Sequence, residues 1–239
     1  GVLEVMEKIK EEVPEKLRIA VLLSFISGYI NAFTYNNAGE LFAGAQTGNV
    51  IFMALHFAKG NLEKAVEFLI PIISFMIGQI FIYCFRNFFQ RRGHKGYIHS
   101  SLLMLFIMII LIILLPFFDY HFIVVTLAFF AAIQSDTFQR LRGFSYATIM
   151  MTGNVKNAPR LLIEGLVQRD RELLVRGFLL FLIIFSFMLG VGISTYFTQF
   201  VKKSALVPLI LPLSYINYVL FKEEHNVIDV VKSKIRKIK

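Results

Sequence analysis

Charge is what this chain has least of. Only 17% of its 239 residues are Asp, Glu, Lys or Arg, against about 25% in an average soluble domain. Residues 19–39, 68–85, 100–118, 177–201 and 204–221 carry none, and 120–139 carries one, Asp136. That shortage excludes a soluble globular domain. About 20 residues of helix cross a bilayer, and lipid admits only helices and closed barrels. The short alternating strands of a barrel are missing from the sequence. Cysteine occurs once, as Cys84 in an apolar run, which excludes an intrachain disulfide and a cysteine-built metal site.

Catalytic signatures are also missing. There is no P-loop, no His-Glu-x-x-His, no Gly-x-Ser-x-Gly and no metal-ligand cluster. Ser24, Ser27, Ser74 and Ser135 have no His–acid constellation around them, so neither an enzyme nor a cofactor is expected. The net charge of +9 would suggest nucleic acid in a soluble protein. Here Lys and Arg are read instead as the loop charges that fix orientation in a membrane. The first apolar run is long enough to stay as a helix, and no cleavable leader is expected.

What is present is repetition. Thr47-Gly48-Asn49-Val50 returns as Thr152-Gly153-Asn154-Val155, an offset of 105. Ser74-Phe75-Met76-Ile77-Gly78 returns as Ser186-Phe187-Met188-Leu189-Gly190, an offset of 112. Two matched words in one order indicate an internal repeat. The chain divides into an amphipathic segment 1–16, a first membrane repeat 17–118, a second 119–221 and a basic amphipathic tail 222–239, with one membrane domain overall.

Hydropathy predicts six membrane helices, near 17–37, 68–85, 100–118, 120–139, 177–201 and 204–221, with 59–67 as a loop. Residues 41–58 are interrupted at Gly44 and Gln46–Asn49, leaving only about ten residues of unbroken helix, half a hydrocarbon core. Residues 144–155 are equally short, and Lys156, Pro159 and Arg160 follow at once. If both short segments dip in and return on one side, with the N-terminus inside, 21 Lys and Arg lie inside and 4 outside. If both span, the division is 17 to 8. The positive-inside rule selects the first arrangement. It is an all-α membrane protein of six transmembrane helices plus two re-entrant half-helices, in two inverted repeats, with both termini cytoplasmic in the cell membrane. Such inverted repeats with broken helices build many transporters.

Thr-Gly-Asn suits the start of a half-helix. Thr47 or Asn49 can cap free N–H groups, Gly48 permits close backbone approach, and the exposed helix end is partly positive. Two such ends meeting near the midplane would attract a polar or anionic solute. The alternative is that the motif only closes the break by hydrogen bonding. Asp136 is the one acid within a crossing helix, and an embedded carboxylate reads as functional. At offset 105 its partner is Asn31. It is either a proton or cation site or an ion-pair partner of Arg140 one turn away. Glu40, at the first break, is a second proton-coupling candidate. The predicted binding set is Asn31, Gln46, Thr47, Gly48, Asn49, Gln134, Asp136, Thr152, Gly153 and Asn154. Tyr29, Tyr35 and Gln79 are weaker lining candidates, and His56 is either a titrating group or, more commonly for a lone His in a half-helix, a hydrogen-bonding packing residue.

With these motifs in place, the sequence resembles the YoaK family of bacterial membrane proteins of unknown function. Ser27-Gly28-Tyr29-Ile30-Asn31-Ala32, Gly39-Glu40 and Gln46-Thr47-Gly48-Asn49-Val50 look like that family's first-half pattern. Gln134-Ser135-Asp136, Gln139-Arg140-Leu141, Gly143 and Met151-Thr152-Gly153-Asn154 look like its second. The chain departs from the pattern twice. Asn31 stands where the family usually has Asp, and Asp136 where it usually has a small residue. The resemblance supports the fold and imports no activity.

The expectation is therefore a small-solute carrier, with a channel as one alternative and a non-transporting scaffold or regulator as another. The lipid bilayer is its expected environment and a small polar or anionic solute its expected ligand. No nucleic acid is expected. Exposed Phe-rich helices fit lipid and a homodimer interface equally well.

Overall fold

The computed structural model describes residues 16–141, 144–149 and 151–222. The expected N-terminal amphipathic segment falls almost wholly outside the described residues, as do Arg142, Gly143 and all but the first residue of the basic tail. The described chain is built of helices: α1 (Leu17–Asn37), α2 (Gln46–Ala58), α3 (Leu62–Arg91), α4 (Gly96–Leu114), α5 (Tyr120–Thr137), α6 (Met151–Gln168) and α7 (Arg171–Val201). A 3-10 segment, Lys202–Leu209, leads into a last helix, α8, over residues 210–222. A two-residue hairpin, β1 (Arg140–Leu141) against β2 (Phe144–Ser145), joins α5 to α6.

Leu17–Asn37, Leu62–Arg91, Gly96–Leu114 and the continuous stretch Arg171–Lys222 are long and apolar enough to cross a bilayer. The protein is a helical membrane protein. Its outer faces are apolar, with Ile80, Phe106, Phe178 and Leu211 all more than half exposed, as lipid contact requires.

Several boundaries differ from expectation for local reasons. α3 begins at Leu62, so much of the expected loop is helix. Asn61 caps it, accepting from the Lys64 N–H at 3.2 Å, and Glu63 lies in its positive first turn. α7 likewise starts at Arg171, because Asp170 accepts from the Glu172 and Leu173 N–H groups. Gln46 opens α2, so Thr-Gly-Asn is the first helical turn and the interruption lies before it. α6 continues through Pro159 to Gln168, since Lys156 and Arg160 point outward while Asn154, Ala158 and Gly165 are buried.

Pairing across the halves fixes the architecture. α1 packs on α7: Ser186 Oγ donates to the Val21 carbonyl at 2.7 Å, and Gly190 lets its backbone meet the Phe25 carbonyl. α3 packs on α5 in the same way: Ser74 Oγ donates to the Val125 carbonyl at 2.6 Å, and Gly78 lies under the Phe129 carbonyl. Contacts run in step along each pair, from Ser74–Val125 to Arg86–Asp136 and from Ser186–Val21 to Thr195–Asn36. Within each pair the two helices are therefore parallel. The segment after Lys202 turns back along α4: Lys203 Nζ reaches the Phe118 carbonyl and Asn217 Nδ2 the Ser101 carbonyl.

These contacts correct the repeat register. The serine and glycine pairs place Val21 opposite Val125 and Phe25 opposite Phe129, an offset of 104 between α1 and α5. Ser135, not Asp136, then corresponds to Asn31, and Asp136 corresponds to Ala32. The motif turns keep an offset of 105.

α1 and α5 form the middle of the molecule. α1 is buried from Ser24 to Thr34 apart from Phe25, and α5 from Ala131 to Gln134. Their polar residues face protein, as membrane helices demand.

Candidate functional site

The loop before α2 docks on α1. Asn31 Oδ1 accepts from the Gly44 and Ala45 N–H groups at 2.8 and 3.0 Å, while its Nδ2 donates to the Ser27 carbonyl. Thr34 Oγ1 accepts from the Ala43 N–H at 3.0 Å. An amide suits this place better than an ionised acid: it offers one acceptor to two donors and one donor to a carbonyl. The departure from the family's Asp therefore has a local physical rationale.

Asn49 and Asn154 do the same work in the two halves. Asn49 Oδ1 accepts from the Phe42 N–H at 2.9 Å and its Nδ2 donates to the Phe42 carbonyl at 2.8 Å. Asn154 holds Ala147 in the same two-bond grip, at 3.2 and 2.6 Å. Each side chain mimics a peptide and pins the loop seven residues back; neither caps its own helix. Gln46 joins the first grip, accepting from Asn49 Nδ2 at 2.9 Å. The Gln46, Gly48 and Asn49 N–H groups bond to the Gly44 and Ala45 carbonyls, so part of the expected positive helix end is already satisfied.

The remaining motif residues scatter. Thr47, Thr152 and Gly153 are exposed, and Gly48 rests on the Phe42 ring. The two loops meet instead at Gly44, where a methyl group would lie 2.6 Å from Ile149 Cγ2 and 3.4 Å from Ala131 Cβ. The contact between the loops is apolar, with the Asn31 amide nitrogen beside it, 3.3 Å from the same methyl position.

The polar groups gather one layer away, between α1 and α5. Gln134 is fully buried, and its Nε2 donates to Ser27 Oγ at 2.7 Å and to the Leu23 carbonyl at 3.0 Å. Its Oε1 has no partner, nor has the buried hydroxyl of Ser24. Ser24, Ser27, Asn31 and Thr34 thus make one polar stripe on α1. Their helical spacing is visible in the sequence, but spacing alone does not show that Ser24, Ser27 and Thr34 face α5 and the loop before α2.

Asp136 pairs with Arg86, not Arg140. Arg86 Nη1 donates to Asp136 Oδ2 at 2.6 Å and to the Asp136 carbonyl at 2.8 Å, tying α3 to α5. The pair borders a cavity of about 210 Å³ that Tyr97, Thr137 and Arg140 also line. A hollow of about 520 Å³ between α3, α4 and α5 is walled by Ile73, Ile77, Ile107 and Phe129. It offers a polar solute little, because Ser74 and Thr126 already donate to carbonyls. Glu40 is exposed, in a left-handed turn (φ 69°) after α1. His56 stacks on Phe68 with ring centroids 5.6 Å apart. Among the described residues, no three His, Cys, Asp or Glu side chains gather as a metal site.

The family model described as "Protein of unknown function (DUF1275)" matches residues 19–218. The chain belongs to that family, in agreement with its resemblance to YoaK proteins. No curated protein and no solved structure matches it.

Proposed function

We propose that this family member is a secondary carrier for a small polar solute that offers a hydrogen-bond donor, which binds along the buried stripe between α1 and α5. One observation carries the reading. The Gln134 carbonyl oxygen is buried between the two central helices without a hydrogen-bond partner. An orphaned acceptor of this kind costs about 1–3 kcal/mol, and a solute donor would recover that cost. Ser24, Ser27 and Asn31 lie on the stripe of α1 that Gln134 meets through Ser27, so the contact set is Gln134, Ser24, Ser27 and Asn31. Gln46–Asn49 and Thr152–Asn154 shape the loops around it.

In this reading six helices cross the membrane: α1, α3, α4, α5, α7 and the returning stretch after Lys202. α2 and α6 re-enter, the halves are inverted repeats, and both termini are cytoplasmic. The parallel pairing of α1 with α7 and of α3 with α5 supports it, since that arrangement agrees with the inside placement of Arg86–Lys95 and of Arg140. Alternating access is then a rocking of α1–α7 against α3–α5, with the Gly44–Ile149 contact as the closed barrier. Asp136 and Glu40 are the acids available to couple a proton.

The test is uptake of a panel of labelled polar and anionic solutes into proteoliposomes, with and without an inward proton gradient. Saturable uptake above protein-free vesicles is expected. Non-saturating flux would turn the reading to a channel. No uptake of any solute class would turn it to a membrane scaffold, which the apolar seal between Gly44 and Ile149 also fits.

A further inference from the structure

The cavity at the end of α5 carries charge that the fold does not require. In the register set by the helix contacts, Asp136 corresponds to Ala32 and Arg86 to Thr198 (offsets 104 and 112). The α1–α7 pair therefore packs with no ion pair at those places. In the α3–α5 pair the same places hold a carboxylate and a guanidinium, with Arg140 beside them on the cavity wall.

Two cations and one anion leave the wall net positive. Its donors are also not used up. Arg86 spends Nη1 on Asp136, while its buried Nε has no partner. The hydroxyl of Thr137, a cavity-lining residue only 9% exposed, has none either. Asp136 holds the Arg86 fork in place. Guanidinium groups on the wall of one hollow recognise tetrahedral oxyanions.

We propose that this cavity is a binding site for a phosphate group, with Arg86 and Arg140 neutralising it and the orphaned Thr137 hydroxyl, which lies behind the wall, changing rotamer to donate a hydrogen bond. The chemistry fits two sources, the headgroup of an anionic phospholipid and a free phosphate. The site stands on its own geometry and does not depend on the carrier reading.

Thermal unfolding of the purified full chain tests it in two arms. In detergent, inorganic phosphate is titrated against chloride at constant ionic strength. In nanodiscs, phosphatidylcholine is compared with a mixture containing phosphatidylglycerol. A ligand of the folded state raises the midpoint saturably. The expected result is such a rise in at least one arm, reduced by half or more in both Arg140→Gln and Thr137→Val. Arg140 is exposed and valine matches threonine in shape, so both variants should fold. A rise with phosphate assigns a free anion, and a rise with phosphatidylglycerol alone assigns a lipid headgroup. No rise in either arm, or a rise undiminished in both variants, overturns the proposal. Solute uptake is measured separately, so failure here leaves the carrier reading standing.

Discussion

Gly44 and Ile149 occupy corresponding places in the two halves, 105 residues apart, and they touch each other. The contact joins the loops that lead into α2 and α6. It also seals the centre, because a methyl group on Gly44 would lie 2.6 Å from Ile149 Cγ2. Gly44→Ala should therefore lower stability by about 1–3 kcal/mol, the usual cost of overpacking. Combining it with Ile149→Ala removes the opposing methyl. The double variant should lose less than the two single losses added together, as measured by thermal melts in detergent.

Glycines at the α1–α7 contact make a second case. Added methyl groups at Gly28 and Gly190 would collide with the Phe187 and Phe25 carbonyls, and backbone cannot step aside as a side chain can. Either alanine variant should cost about 1–3 kcal/mol or more. Gly192, on the same helix, has nothing within 4 Å. Gly192→Ala should be neutral or should stabilise by up to about 1 kcal/mol through helix propensity. Equal losses at all three positions would contradict the packing described.

Replacing Asn49 or Asn154 by Ala strips two bonds from a buried loop. The Phe42 or Ala147 N–H and C=O are left without their partner, at about 1–3 kcal/mol for each buried orphan. Hydrogen exchange should show loss of protection confined to residues 41–49 in one variant and to the described part of 145–154 in the other. Lost uptake with unchanged exchange would instead make the asparagines solute ligands.

Acid should uncap the turn between α4 and α5. Asp119 caps α5 by accepting from the Phe122 N–H at 3.1 Å. That bond holds its carboxyl below the ordinary range, assisted by His121 and Lys203. A depressed folded pKa means the cap's contribution is full above the unfolded value, about 4. It is lost as pH falls through the lower folded value. Asp119→Ala should therefore melt earlier than the natural chain at pH 7, and the gap should close below about pH 4. A gap independent of pH would show that the charge contributes nothing.

The long uncharged runs and the repeated words were legible because they are local. Lys16 and Arg18 mark the start of α1, and Gly39, with its positive φ, follows its end. The word Thr-Gly-Asn could be seen, but not its action: Asn49 reaches back seven residues to a loop whose path depends on Asn31 and Thr34. Helical spacing offered Arg140 as the partner of Asp136, whereas Arg86 comes from another helix 50 residues away. The offset of 105, read from the turns, slipped by one along α1 and α5, and only contacts between helices expose that. Gln134 was picked out as polar lining, but the lack of a partner at its oxygen is a property of packing.

The central claim is that Gln134 is buried for a solute and not for the fold. Gln134→Leu separates the two, because it removes the orphaned oxygen and leaves the Ser27 hydroxyl free to bond elsewhere. Uptake by proteoliposomes should be measured together with the melting midpoint of the same preparation. The account expects a midpoint equal to or above that of the natural chain, with uptake lost. Full uptake at an unchanged midpoint, or a folding defect that alone explains the loss, would contradict it.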